Sequence, residues 1–279
     1  MQAVILKLTA NQITVWFQNK KHLVFAPNKW KQQRALKAGD LVDVDVGVSG
    51  YQIVKLYPAH NCLEKPKVNN IDNLILVVAA TQPELNWLQI MRTLAYYEMA
   101  LEFLPTLVFT KLDLTRNDVI LQSRMIDLKK IGYEVFDKNT PRDHLLLKNK
   151  LANKVSCFVG QSGVGKSSLI NSFDSSIDLR SATISLKLNR GKNTTTQTQL
   201  IPFLNGFLVD TPGYSKFLYP VSVKELSQSF HDFRKLKAQC KYSDCLHMNE
   251  VQCAIKAQIN KPMLPQWRYD CYVKMLQEV

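Results

Sequence analysis

Residues 160–167 read GQSGVGKS, so Gly160, Gly165, Lys166 and Ser167 fill the fixed places of G-x-x-x-x-G-K-[ST]. That order builds a phosphate cradle. Glycines let successive backbone N–H groups curl around phosphate oxygens, and a helix that follows offers its positive end. Gln161, Ser162, Gly163 and Val164 form the body of the loop, and Ser168 follows it in the first helical turn. Lys166 reaches the β and γ phosphates and the Ser167 hydroxyl ligates Mg²⁺, so the loop alone specifies a nucleoside triphosphate and leaves base and reaction open.

Two further stretches narrow the reading. Asp210-Thr211-Pro212-Gly213 follows a hydrophobic run 44 residues after Lys166. There Asp210 can hold Mg²⁺ through water, and the Gly213 N–H can touch the γ phosphate and so sense hydrolysis. Thr110-Lys111-Leu112-Asp113 matches [NT]KxD directly after the run LVFT. An Asp113 carboxylate accepts from guanine N1–H and N2–H₂, a donor pair that adenine lacks, while the Lys111 stem packs on the purine face. GTP is therefore expected over ATP. Between these motifs, Gly191-Lys192-Asn193-Thr194-Thr195-Thr196 lies where a loop could complete the Mg²⁺ shell only in the presence of the γ phosphate. Thr195 is the expected ligand, with Thr196 next. Their order is also informative, because TKLD precedes the phosphate loop by about 50 residues instead of following it. The nucleotide domain is thus read as circularly permuted.

A separate chemistry occupies the C-terminal part. Cys240, Cys245, His247 and Cys253 are spaced C-x4-C-x-H-x5-C, three thiols and an imidazole able to surround one Zn²⁺ tetrahedrally. Cys62, Cys157 and Cys271 are expected in the core, and His22, His60, His144 and His231 show no convergent partners in the sequence.

The elements that position these groups follow from periodicity. Short alternating runs near 4–8, 13–17, 23–25, 41–46 and 51–56 predict a five-stranded antiparallel barrel over 1–66, best fitted by an OB-fold, with an SH3-like barrel as the alternative. A polar, proline-containing stretch at 64–73 reads as a boundary. Over 67–220 buried strands (74–80, 106–110, 133–136, 154–159, 199–203, 206–210) alternate with helices (83–102, 116–130, 141–151), the pattern of a parallel α/β sheet. Residues 221–279 read as a helical zinc-binding domain, with Tyr269, Tyr272 and Leu276 along one face of the last helix as packing residues.

Composition sets the class. In 279 residues, 46% hydrophobic, no apolar run reaches the length of a membrane span, and the first residues lack a basic leader, so a cytoplasmic protein is expected. The net charge of +13 favours a polyanionic partner. Residues 1–66 hold nine basic and four acidic side chains, the densest excess, which points to the barrel as the RNA-facing part.

Barrel, TKLD, GQSGVGKS, TTT, DTPG and the Cys/His segment, in that order, resemble the circularly permuted GTPase family of small ribosomal subunit biogenesis (RsgA/YjeQ). LKAGDLVDVDV, CLHMNEVQCAIKAQI and RYDCY extend the likeness over nearly the whole chain. The resemblance implies a slow GTPase that binds the small subunit through rRNA late in maturation, is stimulated by it and leaves on hydrolysis; GTP/GDP, Mg²⁺ and one Zn²⁺ are the implied cofactors, and a monomer is expected. Three positions depart from what the motifs lead one to expect. Asn193 stands where the family usually has a histidine proposed to position the attacking water, and an amide can hold water but not titrate as a base. Residues 135–138, VFDK, do not match the guanine-supporting Ser-Ala motif, and residue 214 is Tyr where Ras-like domains place a water-orienting Gln. Two other readings stay open: a permuted GTPase serving the large subunit or another RNA, and an RNA-binding adaptor that holds nucleotide with little catalysis.

Overall fold

Five strands at the N-terminus, β1 (Gln2–Leu8), β2 (Ile13–Phe17), β3 (Lys20–Val24), β4 (Leu41–Gly47) and β5 (Gly50–Leu56), fall on the alternating runs. On β2 the alternation puts Ile13, Val15 and Phe17 inside, where they join Ile5, Val42 and Ile53 in one apolar core. β1 pairs antiparallel with β2 and with β4, β2 with β3, and β4 with β5. A parallel bridge from Phe25, just past β3, to Gln52 on β5 brings the first and last members together. The path β1-β2-β3-β5-β4-β1 is the closed Greek-key circuit of an OB-type barrel. These coordinates are a computed structural model that describes residues 1–9, 12–27, 36–47, 50–174, 198–210, 222–261 and 264–279.

A hairpin, β6 (Cys62–Glu64) with β7 (Lys67–Asn69), occupies the stretch read from sequence as a polar boundary. Three-residue strands are too short to show a period, yet Leu63, Val68 and Ile71 are fully buried. The hairpin is tied to the barrel at Gly39, whose φ of +88° and whose approach to the Asn69 carbonyl, 2.0 Å from where a Cβ would stand, admit only glycine. Asn69 in turn donates to the buried Asp40 carboxylate at 2.6 Å. Cys62 is exposed, not in the core, and lies 2.8 Å from the Lys37 ammonium.

The chain divides into two compact units. The first combines the barrel with β11 (Val155–Val159), helix α4 (Lys166–Phe173), β12 (Gln199–Phe203) and β13 (Gly206–Asp210). In it β11 and β13 run parallel, while β12 pairs antiparallel with β13 through a Leu204-Asn205 turn of two left-handed residues and touches β1 at Lys7–Gln199. The expectation of a parallel sheet therefore holds for β11–β13 and gives way at β12, where the two-residue connection allows only a hairpin.

The second unit holds a parallel sheet of β8 (Asn73–Ala79), β9 (Thr106–Thr110) and β10 (Val135–Asp137). β8 and β9 are buried at every residue, which explains their unbroken apolar runs. Helix α1 (Trp87–Ala100) starts four residues later than the periodicity suggests because Asn86 caps it, its Oδ1 accepting from the Gln89 N–H at 3.0 Å. Helix α2 (Val119–Ile131) is capped by Asp118 and ended by Gly132 at φ +115°. Helix α3 (Pro141–Leu151), which passes from this unit into the first at Leu145, lies on its expected residues. The C-terminal part contributes α5 (Val223–Leu226), opened by a Ser222/Glu225 capping box, then α6 (His231–Lys237) and α7 (Gln266–Leu276). Among the described residues no helix is long and apolar enough to cross a membrane.

Candidate functional site

In the second unit, residues 160–165 lie against the end of the β8–β9 pair. Gly160 has a φ of +147°, and a Cβ there would stand 2.3 Å from the Val77 carbonyl oxygen, so the loop can pass β8 this closely only as glycine. Val164 is buried while Gln161, Ser162 and Gly163 are exposed, leaving the outer arc of the loop open.

TKLD grips this arc from the other strand. Thr110, at the end of β9, donates its hydroxyl to the Val164 carbonyl at 2.6 Å. Lys111, left-handed at φ +60°, turns its ammonium onto the Gly163 carbonyl at 3.2 Å and onto the Gln82 carbonyl. Asp113 then sits exposed in a single 3₁₀ turn, Leu112–Leu114. Residues separated by some fifty positions in sequence thus form one phosphate-loop and base-loop assembly. Its carboxylate has a neighbour the sequence did not announce: Asn139 donates its side-chain amide to Asp113 Oδ1 at 2.9 Å. Lys138 is close as well; burial lowers its ammonium from its usual range, and the Asp113 charge partly offsets that.

In the first unit, Lys166, Ser167 and Ser168 open α4, directly after the loop in the chain. Burial pushes the Lys166 ammonium down to about 8. Asp210 ends β13. The register of Cys157 with Val209 puts it level with Phe158 on β11. Asn193, Thr194, Thr195, Thr196 and Gly213 lie outside the described residues, as does Tyr214.

The zinc cluster is compact. One ligand atom from each of Cys240, Cys245, His247 and Cys253 lies within 4.8 Å of the others. Cys240 Sγ is 3.7 Å from His247 Nδ1 and 4.0 Å from Cys253 Sγ, and Cys253 Sγ is 3.4 Å from Nδ1. Tetrahedral Zn²⁺ with its usual bond lengths requires S···S near ~3.8 Å and S···N near ~3.6 Å, so the donors fit the ion. His247 Nε2 meets the Ser227 carbonyl at 3.2 Å, which fixes Nδ1 as the ligating atom. Burial lowers His247 and pushes the Cys245 thiol up to about 12, so the cation must supply the charge that makes these thiolates. Tyr269 and Tyr272 donate to the carbonyls of His247 and Leu246, both at 2.6 Å. The aromatic stripe on α7 is packing, as expected, and its hydroxyls also clamp the ligand loop.

Sequence reasoning missed a buried polar cluster beneath that loop. Arg268, with no exposed surface, donates to Asp232 Oδ1 at 2.8 Å and Oδ2 at 3.3 Å and to the Tyr133 hydroxyl at 3.1 Å. Tyr133 donates to Glu98, which also accepts the His231 N–H at 2.8 Å and faces His231 Nδ1 at 3.1 Å. His231 thus has convergent partners after all. Burial works against the Arg268 charge, but Asp232, Tyr133 and Glu98 outweigh it and raise the guanidinium above its ordinary value.

A sequence profile described as RsgA GTPase matches residues 56–220, more than half of the chain. The chain belongs to the RsgA GTPase family. A relative named small ribosomal subunit biogenesis GTPase RsgA, from Mycoplasmoides gallisepticum, is 38% identical and is matched over all of both chains. Among solved structures, YjeQ from Thermotoga maritima superposes with a TM-score of 0.82 at 29% identity over 99% of this chain and 97% of its own. YloQ, described as a circularly permuted GTPase, gives 0.79 at 26% identity over 99% and 94%. The permuted order of motifs in this RsgA-family chain, with the base loop encoded before the phosphate loop, is therefore a property of its fold class.

Proposed function

We propose that this chain is a GTP hydrolase that acts as a late assembly or checkpoint factor of the small ribosomal subunit, binding rRNA and leaving when GTP is hydrolysed. The observation that carries the reading is the pair of contacts from Thr110 to Val164 and from Lys111 to Gly163, which joins a guanine-type loop to a phosphate-type loop. The names of its relatives supply the target. In this reading Thr110, Lys111 and Asp113 select guanine. Gly160, Gln161, Ser162, Gly163, Val164, Gly165 and Ser168 wrap the phosphates, and Lys166 neutralises charge developing on the transferred phosphoryl. Ser167, Asp210 and Thr195 organise Mg²⁺, Gly213 senses the γ phosphate, and Asn193 holds the attacking water by hydrogen bonds. An amide in that place supports slow intrinsic turnover that needs the subunit to complete the site.

The barrel over 1–66 faces RNA, the nucleotide domain spans 67–220, and the zinc domain spans 221–279. The protein works as a cytoplasmic monomer. If nucleotide state gates the subunit, co-sedimentation with small subunits is at least severalfold greater with a non-hydrolysable GTP analogue than with GDP. Equal recovery in both states would contradict the gate.

A further inference from the structure

The Ser-Ala motif that supports guanine in other G domains is missing at 135–138, and the structure shows what stands in its place. The N–H groups from Asp137 to Thr140 are all committed: Asp137 to Asp143 Oδ2 at 2.8 Å, Lys138 to the Phe109 carbonyl at 2.9 Å, Asn139 to Asp137 Oδ1 at 2.8 Å and Thr140 to the Asp137 carbonyl at 3.2 Å. The backbone of this turn has no donor left for a base. The Asn139 side chain does. Its exposed amide nitrogen carries two hydrogens, and one goes to Asp113 Oδ1 at 2.9 Å. A carboxylate only accepts, so that contact also fixes which end of the amide faces Asp113.

We infer that Asn139 is a specificity-determining residue of the nucleotide site, orienting Asp113 with one amide hydrogen and donating the other to guanine O6. The proposal rests on the reading of Asp113 as the guanine-binding carboxylate. Along the edge of guanine the groups run N2–H₂, N1–H, O6. A carboxylate that takes the first two leaves O6 beside whatever group holds its N1-side oxygen, and with Oδ1, which accepts from Asn139, assigned to N1–H, that group is the Asn139 amide. Adenine presents an amino group at the same position, so the donor that rewards guanine meets another donor in adenine. Asp137 acts behind Asn139. Its carboxylate takes the Asn139 N–H and the Thr140 hydroxyl, the latter at 3.0 Å, and holds the turn that aims the amide.

The test is titration of the full chain, with Mg²⁺, with GDP, 6-thio-GDP and ADP, in the wild type, Asn139→Ala and Asp113→Asn. 6-thio-GDP keeps both donors for Asp113 but offers a poor acceptor at position 6. The wild type is expected to prefer GDP to 6-thio-GDP by about tenfold, the worth of one buried hydrogen bond. In Asn139→Ala, GDP affinity falls by roughly the same factor and 6-thio-GDP affinity much less, so the preference shrinks towards unity. A merely structural asparagine would weaken both nucleotides alike and keep their ratio; that result, or no change in either, overturns the proposal. Asp113→Asn tests the foundation separately. It should abolish the preference for GDP over ADP, and an unchanged preference there would remove the Asp113 reading and the Asn139 proposal with it.

Discussion

Cys245→Ala, or prolonged chelation of the wild type, is expected to reduce zinc from one ion per chain to near zero and to unfold the ligand loop around it. Cys245 is 1% exposed and His247 is fully buried beside the Phe233 and Tyr272 rings, in a segment with almost no regular structure between α6 and α7. Zinc-finger peptides gain roughly 10–16 kcal/mol of apparent free energy from their metal, comparable to the whole stability of an ordinary domain. Loss of a ligand therefore removes the dominant interaction in 240–261. The Tyr269 and Tyr272 hydroxyls would lose the carbonyls they clamp, and limited proteolysis should cut first in this segment. Metal analysis together with proteolysis decides the matter. Retained zinc stoichiometry in Cys245→Ala, with unchanged protease resistance, would rule out this cluster as the site.

Asp232→Ala is the second large effect, a loss of about 3–5 kcal/mol in unfolding free energy. The size comes from Arg268, not from Asp232 itself. Removing the carboxylate that meets the guanidinium at 2.8 and 3.3 Å strands a cation with no exposed surface. Of its remaining neighbours, the Tyr133 hydroxyl, Met91 Sδ at 3.4 Å and the Phe230 ring 4.2 Å below carry no charge, and Glu98 reaches it through the Tyr133 hydroxyl, a weaker compensation than the lost contact. The double variant Asp232→Leu with Arg268→Met should recover most of the loss, because an apolar pair of similar volume needs no compensation. Urea unfolding of the three variants reads this directly, and a single-variant loss below about 1 kcal/mol would show that the pair is not desolvated as the geometry requires.

What was legible in the sequence was whatever depends on neighbours in the chain. A phosphate loop is a run of backbone conformations, so its glycines declare themselves, and Gly160 does so because its Cβ would collide with β8. The barrel strands show because alternation is a local signal, and the zinc ligands because they all fall within 14 residues. The hairpin β6–β7 was hidden by its shortness. The cluster of Glu98, Tyr133, His231, Asp232 and Arg268 was hidden by distance, since no spacing rule links positions on three helices and the connection between α2 and β10. Asn139 was hidden for a third reason. The familiar signature of the role proposed for it is a different pair of residues, and it is the 2.9 Å contact with Asp113, beside a fully engaged backbone, that points to a side chain there.

The central claim is that this chain turns over GTP in response to the particle its relatives are named for. The direct measurement is phosphate release from GTP and from ATP by the purified protein, alone and with small ribosomal subunits. Slow GTP hydrolysis that rises at least tenfold with small subunits, is absent in Lys166→Ala and is negligible with ATP is the result the account predicts. Turnover that small subunits leave unchanged, or that proceeds equally with ATP, would contradict it.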